Sequence, residues 1–384
     1  MADSLLSDLE LLSRLVAFDT TSSRPSRPLA DYVAGYLSEA GVEAHLHAYA
    51  AGEKGNLVAR AGPDTAGGIL LSGHLDVVPA TEDDWVSDPF VLSERDNRLY
   101  GRGTADMKGF VALAANTLAR LAGERLSRPL VLLLTSDEEV GTVGARTFAR
   151  TWDRRFRLPA EGIVGEPTGL RVVRMHKGHL SLRLTLSGEA AHSGYPHLGR
   201  SAIEPAADLL VLLRDLRREL EDERCPESAF FPECPHPVLN VGVVRGGTAI
   251  NIIPDRCELD VGARLMPGQT TDAFLERLHD LLADCPALPR KRLSVAVLND
   301  SPPLLCPADL PVHAELTRLI GQGDSYGVSF ASDAGPLQRM GLDCVLWGPG
   351  SIEDAHQANE SLSMAQFSRG GELLDRFVQQ RCCD

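Results

Sequence analysis

Two adjacent carboxylates, Glu138 and Glu139, follow the apolar run Pro129–Thr135. Side by side at the tip of a strand, one can hold a metal ion while its neighbour accepts a proton. An acidic pair is also an ordinary opening for a loop or helix, so its meaning depends on its companions. His74 and Asp76 follow the apolar run Ile69–Ser72. Alternation along a strand predicts both on one face, where the carboxylate could take the second ring N–H of a metal-bound imidazole. Gly101-Arg-Gly-Thr-Ala-Asp106-Met-Lys-Gly109 is a glycine-rich turn entering the apolar stretch Phe110–Leu121. Glycines permit the backbone contortion that aims a single carboxylate inward. A phosphate cradle is the competing use, but this Gly-x-Gly lacks the spacing of the nucleotide fingerprints. Glu166 ends a further apolar run in Ile163-Val-Gly-Glu166-Pro-Thr, and His356 lies in the glycine-rich stretch Gly348–Glu360.

Every one of these groups stands just beyond a strand or in a glycine-rich loop, the place where open α/β sheets bind their ligands. Imidazole and carboxylate donors with no cysteine among them suit one or two zinc ions that keep an open coordination position. Two such metals can share a bridging carboxylate.

In order along nearly the whole chain, His74-Leu-Asp76, Gly-Arg-Gly-Thr-Ala-Asp106-Met-Lys-Gly, Asp-Glu138-Glu139, Gly-Glu166-Pro-Thr and His356 closely resemble the motifs of the co-catalytic zinc deacylases. That family includes acetylornithine deacetylase, succinyl-diaminopimelate desuccinylase and aminoacylase. The resemblance implies two zinc ions, replaceable by cobalt, bridged by Asp106. His74 and Glu166 would complete one site, and Glu139 and His356 the other. Asp76 would orient His74, Glu138 would be the general base, and the Asp106–Met107 peptide would be cis. His192, in Ala-His-Ser-Gly, resembles a lid histidine that reaches the active site from the partner subunit of a homodimer. There it could donate a hydrogen bond to the oxyanion of the tetrahedral intermediate.

Candidate substrate contacts follow. An arginine fork suits the α-carboxylate of an amino acid, which fits Arg264 in Leu259–Gly268; the family's equivalent arginine and asparagine contact substrate, which adds Asn251. A solvated surface arginine and a strand-end hydrogen bond are the plain alternatives. Lysine occupies only positions 54, 108, 177 and 291, and Lys177 beside the motifs is a further candidate, with chance as the alternative. Asp333 could pair with a side-chain ammonium or simply open a helix. The stretches Phe330–Gln338 and Gly348–Glu360 resemble acetylornithine deacetylases, which implies conversion of N-acetyl-L-ornithine to ornithine and acetate in arginine biosynthesis. Aspartate at 333, where glutamate is expected, leaves N-acetylcitrulline, N-succinyl-diaminopimelate or another N-acyl amino acid open. From a different class, a catalytically inactive metal-binding relative would lack the base at Glu138, and a nucleotide binder would need no pairing of His74 with His356.

At 384 residues the chain is long for one core and suggests two domains. A formal charge of −15 argues against a nucleic-acid partner. No apolar run reaches membrane-spanning length, and the first ten residues are acidic and amphipathic, unlike a signal peptide. Eight scattered cysteines without zinc-finger spacing fit a reducing cytoplasm better than a disulfide framework. Helices expected at Leu5–Phe18 and Leu29–Ala40 alternate with the strands named above, the pattern of an α/β fold with a mostly parallel sheet flanked by helices. Near Gly178 the pattern changes to alternating strands with helices at Pro205–Glu223 and Thr271–Ala283. We expect residues 1–177 and 292–384 to form the catalytic domain, with 178–291 an inserted α+β lid and dimerisation domain.

Overall fold

The computed structural model describes residues 5–81, 83–288 and 290–383. Met1–Ser4 of the acidic terminus therefore lie outside the described residues. The chain divides into two compact units.

The first unit comprises the residues up to Arg174, Cys306–Tyr326 and those from Ser332 onward. Its central strands are short apolar runs buried almost without interruption, as strands covered on both faces must be. Leu130–Thr135, Ile69–His74, Glu161–Val164 and Asp343–Leu346 lie next to one another in that order, all parallel. The antiparallel strands Lys54–Ala61 and Glu43–Tyr49 extend the sheet beyond Leu130–Thr135. Helices flank it. Asp8–Val16 starts at a capping box between Ser7 and Glu10, which satisfies end N–H groups reciprocally. Arg27–Glu39 begins earlier than expected because Pro28 sits in its first turn, where proline costs no hydrogen bond. Gly109–Leu121 is buried nearly all round, packed against Asp8–Val16 and Met364–Cys382. A small three-stranded sheet pairs Ser361–Ser363 with Arg98–Tyr100, and Arg98–Tyr100 with Ser93–Arg95.

The second unit comprises Met175–Leu305 and Gly327–Ala331. Its antiparallel sheet runs Val238–Gly246, Arg256–Arg264, His179–Ser187, Leu293–Ser301. Leu180, Leu182, Leu184 and Leu186 point inward by strict alternation and meet Leu209, Leu213, Leu216 and Leu220, the buried stripe of helix Glu204–Asp222. Helix Thr271–Asp284 adds Phe274, Leu278 and Leu282 to this core. The unit extends past the expected limit at 291 because Leu293–Ser301 pairs with His179–Ser187, from Leu293 opposite Leu186 to Ser301 opposite His179. That strand is hard to read in sequence, since Val297 and Leu298 are both exposed and break the period of two.

Candidate metal centre

Because the four central strands of the first unit are parallel, their carboxyl ends share one edge. His74 is the last residue of its strand and lies opposite Thr135. Glu138 and Glu139 follow Thr135, Glu166 follows Val164, and the loop bearing His356 follows Leu346. Gly165 passes so close to Phe110 that a Cβ would stand 1.9 Å from its ring, so glycine is required at the turn into Glu166. Asp106 lies within Thr104–Lys108, after Gly103 at φ +83°, where a Cβ would also meet Val77 at 2.7 Å. The Asp106–Met107 peptide is cis, as the motif resemblance implied.

Asp106 faces two imidazoles with its two oxygens: His74 Nε2 stands 3.0 Å from Oδ1 and His356 Nε2 3.2 Å from Oδ2. His356 Nε2 is also 3.1 Å from Glu139 Oε2. His74, Asp106 and Glu139 offer donor atoms that all lie within 4.8 Å of one another. His74 Nδ1 donates to the Asp76 main-chain carbonyl at 2.9 Å, which leaves Nε2 as the atom that could bind a metal. Glu166 is 4% exposed, and its Oε1 is buried without a protein hydrogen-bond partner.

The electrostatics show a site short of positive charge. Burial, then the Asp106 charge, raises Glu139 to about 7. Burial likewise lifts Glu138 and Glu166 well above the usual carboxylate range, with neighbouring carboxylates adding to the effect. Burial alone would lower His74, but its hydrogen bond to Asp106 and the surrounding acids raise it well above an ordinary imidazole. The hydrogen bonds that His356 donates to Asp106 and Glu139 raise it to about 10. So many buried acids cannot all ionise without cations among them. The orphaned Glu166 oxygen and the two-sided Asp106 carboxylate fit a pair of divalent ions in that role, with a donor set of nitrogen and oxygen only.

Two expectations change in detail. The Asp76 carboxylate stands 3.9 Å from His74 Nδ1, too far for a hydrogen bond. The strand ends at His74, so the alternation argument does not reach Asp76. The carboxylate instead accepts the main-chain N–H of Glu138 at 3.0 Å, that of Glu139 at 3.2 Å and the Ser22 hydroxyl at 2.8 Å. Asp333 is 1% exposed and takes the Thr135 hydroxyl at 2.5 Å. Its other oxygen, Oδ1, is buried without a protein hydrogen-bond partner, and burial raises the carboxyl to about 6.

Sequence reasoning missed the supports of the acidic pair. Asp137, at φ +60°, pairs with Lys54 at 2.6 Å and accepts the Tyr49 hydroxyl at 3.0 Å. Lys54 also donates to the Ser22 carbonyl at 2.7 Å. The signal was present: Asp137 directly precedes the pair, and Lys54 is one of only four lysines.

The remaining candidates lie in the second unit. His192 and Asn251 are brought together on a two-stranded ribbon, where His192 pairs with Ile252 and the Ser193 N–H reaches the Asn251 carbonyl at 3.0 Å. Both are exposed. Arg264 ends its strand half-buried, close enough to His176, His179 and Lys177 to help lower all three. Lys177 is held by the protein's own main chain. It is fully buried and its ammonium donates to the carbonyls of Cys234 at 2.6 Å and His236 at 2.8 Å, which ties down the loop Cys225–Pro237.

A parallel-sheet edge carrying imidazoles and carboxylates around a shared aspartate is suited to hold divalent ions for metal-assisted hydrolysis. The chain belongs to peptidase family M20/M25/M40, whose model matches residues 70–380. It is 37% identical over 382 residues to an acetylornithine deacetylase of Proteus mirabilis (strain HI4320), covering 97% of this chain and 96% of that one. A Klebsiella pneumoniae (strain 342) protein of the same description is 36% identical over 390 residues, with both chains fully covered. Among solved structures, the M20 family metallo-carboxypeptidase Sso-CP2 of Sulfolobus solfataricus superposes with a TM-score of 0.77 at 18% identity, covering 98% of this chain and 99% of that one. A dinuclear metal binding peptidase of the M20 family from Bacillus subtilis gives 0.67 at 15% identity, covering 97% and 96%. Among the described residues, no helix is long and apolar enough to cross a membrane.

Proposed function

We propose that the protein is a two-metal deacetylase that hydrolyses N-acetyl-L-ornithine to ornithine and acetate, a step of arginine biosynthesis. The observation that carries the metal chemistry is the convergence of His74, Asp106 and Glu139, with His356 on the far oxygen of Asp106. The full-length relatives of that description support the choice of substrate. His74 and Glu166 would hold one ion, Glu139 and His356 the other, and Asp106 both. When bound, a pair of zinc ions, or cobalt in their place, supplies the positive charge that acidifies an attacking water and polarises the amide carbonyl.

Glu138 takes the proton of that water and returns it to the departing amine. Burial, with the Glu166, Asp333 and Glu139 charges beside it, raises Glu138 above the usual carboxylate range. Asp76 aims this base by holding the main chain of Glu138 and Glu139. His192 donates to the developing oxyanion from the partner subunit of a homodimer formed through the second unit, where Val243, Val244, Ile250 and Ile252 are exposed. Arg264 pairs with the substrate α-carboxylate, and Asn251 also contacts the substrate. We place the enzyme in the cytoplasm, in keeping with the bacterial relatives and with the free state of all eight cysteines.

The test is acetate or succinate release from N-acetylornithine, N-acetylcitrulline, N-acetylmethionine and N-succinyl-diaminopimelate with zinc or cobalt added. A tenfold preference in kcat/KM for N-acetylornithine is the expected result. Equal or better turnover of N-acetylcitrulline would overturn the substrate assignment.

A further inference from the structure

Glu360 does not bear on the chemistry directly, yet it is 1% exposed and receives four hydrogen bonds. Its Oε1 accepts the main-chain N–H of Ala105 at 2.9 Å and of Asp106 at 3.1 Å. Its Oε2 accepts the Gly103 N–H at 2.9 Å and Arg102 Nη1 at 2.9 Å. Strand pairing of Ser361 with Tyr100 delivers the carboxylate to this loop. Arg102, itself 0% exposed, donates Nη2 to the Pro79 carbonyl at 3.0 Å and Nη1 to the Gln357 carbonyl at 3.3 Å.

These contacts tie three ligand-bearing segments to one buried ion pair. Pro79 lies on the chain that leaves His74, Gln357 is the neighbour of His356, and Asp106 hangs directly from Glu360. We propose that Glu360 and Arg102 are positioning residues that set Asp106 against His74 and His356 at the spacing two cations require. Only a carboxylate serves at position 360. Four donors converge on two acceptor oxygens, and an amide would turn its own N–H groups toward main-chain N–H groups. Arginine is equally specific at 102, because a planar fork can reach Glu360 and two carbonyls at once where an ammonium reaches fewer.

The inference rests on Asp106 and His356 being metal ligands, so the experiment reads cation binding separately from turnover. Zinc and cobalt affinities are measured by competition with a chromophoric chelator on wild type, Glu360→Gln and Arg102→Lys, with circular dichroism to confirm folding. Removing an outer partner of a metal ligand weakens binding by about 10–100-fold. We expect that loss for at least one cation in both variants, with KM nearly unchanged and kcat recovering as metal is raised. Should Glu360→Gln fail to fold, Arg102→Lys, which keeps the buried charge, carries the test. Wild-type metal affinity in the folded variants, even with a lowered Tm, would overturn the positioning role alone. A wild-type protein that binds no divalent cation would overturn the metal-site reading itself.

Discussion

Replacing Asp76 by asparagine separates the support of Glu138, the proposed base, from the support of His74. The His74 ring bonds to the Asp76 main-chain carbonyl, which the substitution leaves in place. The side chain loses one acceptor oxygen while keeping its shape. If the amide oxygen stays beneath the Glu138 N–H, the new NH2 faces Ser22, whose hydroxyl can turn to accept, and the Glu139 N–H, which cannot. One buried donor left unpaired costs about 1–3 kcal/mol, and replacing a charged by a neutral acceptor under Glu138 costs about 1 kcal/mol more. The sum of about 2–4 kcal/mol corresponds to roughly 30–1000-fold if it all falls on the transition state. Steady-state kinetics with saturating zinc reads the loss, and cation titration reads the metals. We expect the loss in kcat, with weakened binding confined to the ion held by Glu139. A change of less than threefold in both quantities refutes the argument that Asp76 acts through the two main-chain N–H groups. A loss confined to the ion held by His74 shows instead that the carboxylate works through the imidazole.

Glu138→Gln should retain both cations and lower kcat by about 10²–10⁴-fold, the usual worth of a general base; near-normal hydrolysis of N-acetylornithine would remove Glu138 from that role. The gain in Tm on adding zinc to chelator-treated protein should grow as pH rises from 4.5 to 7. The raised Glu139 makes the metal-free fold bind protons that the unfolded chain has released, so that fold weakens through this window and cations take the protons' place. A metal-dependent Tm gain that is flat with pH would contradict this. Buried His176 is depressed to about 4. Between pH 6.5 and 4 the unfolded chain binds the proton and the fold does not, so stability is full above 6.5 and declines as pH falls. His176→Gln should flatten the slope of Tm against pH in that interval, by up to ~3 kcal/mol over the whole span.

The parallel core was legible because strands covered on both faces read as unbroken apolar runs, and the candidate ligands stand where those runs stop. His74, Glu139 and Glu166 could be placed from that rule alone. Asp76 was misassigned in its contact because a period of two holds only inside a strand, and the strand had already ended at His74. Lys177 looked functional for being a rare lysine beside a motif, whereas its role is set by two loop carbonyls more than 50 residues away in sequence. Partners so distant leave no local periodicity. The same holds for Glu360 with Arg102 and for Lys54 with Asp137, which tertiary packing joins across long separations. Strand Leu293–Ser301 was missed because its exposed Val297 and Leu298 interrupt the alternation that marks a half-buried strand.

The most direct test of the account is the number of cations held per chain. Metal analysis after equilibrium dialysis against zinc should give two for the wild type, one for Glu166→Ala and for His356→Ala, and none held tightly by Asp106→Ala. A wild-type value of one or less, or an Asp106→Ala protein that still holds two, contradicts a pair of ions bridged by Asp106.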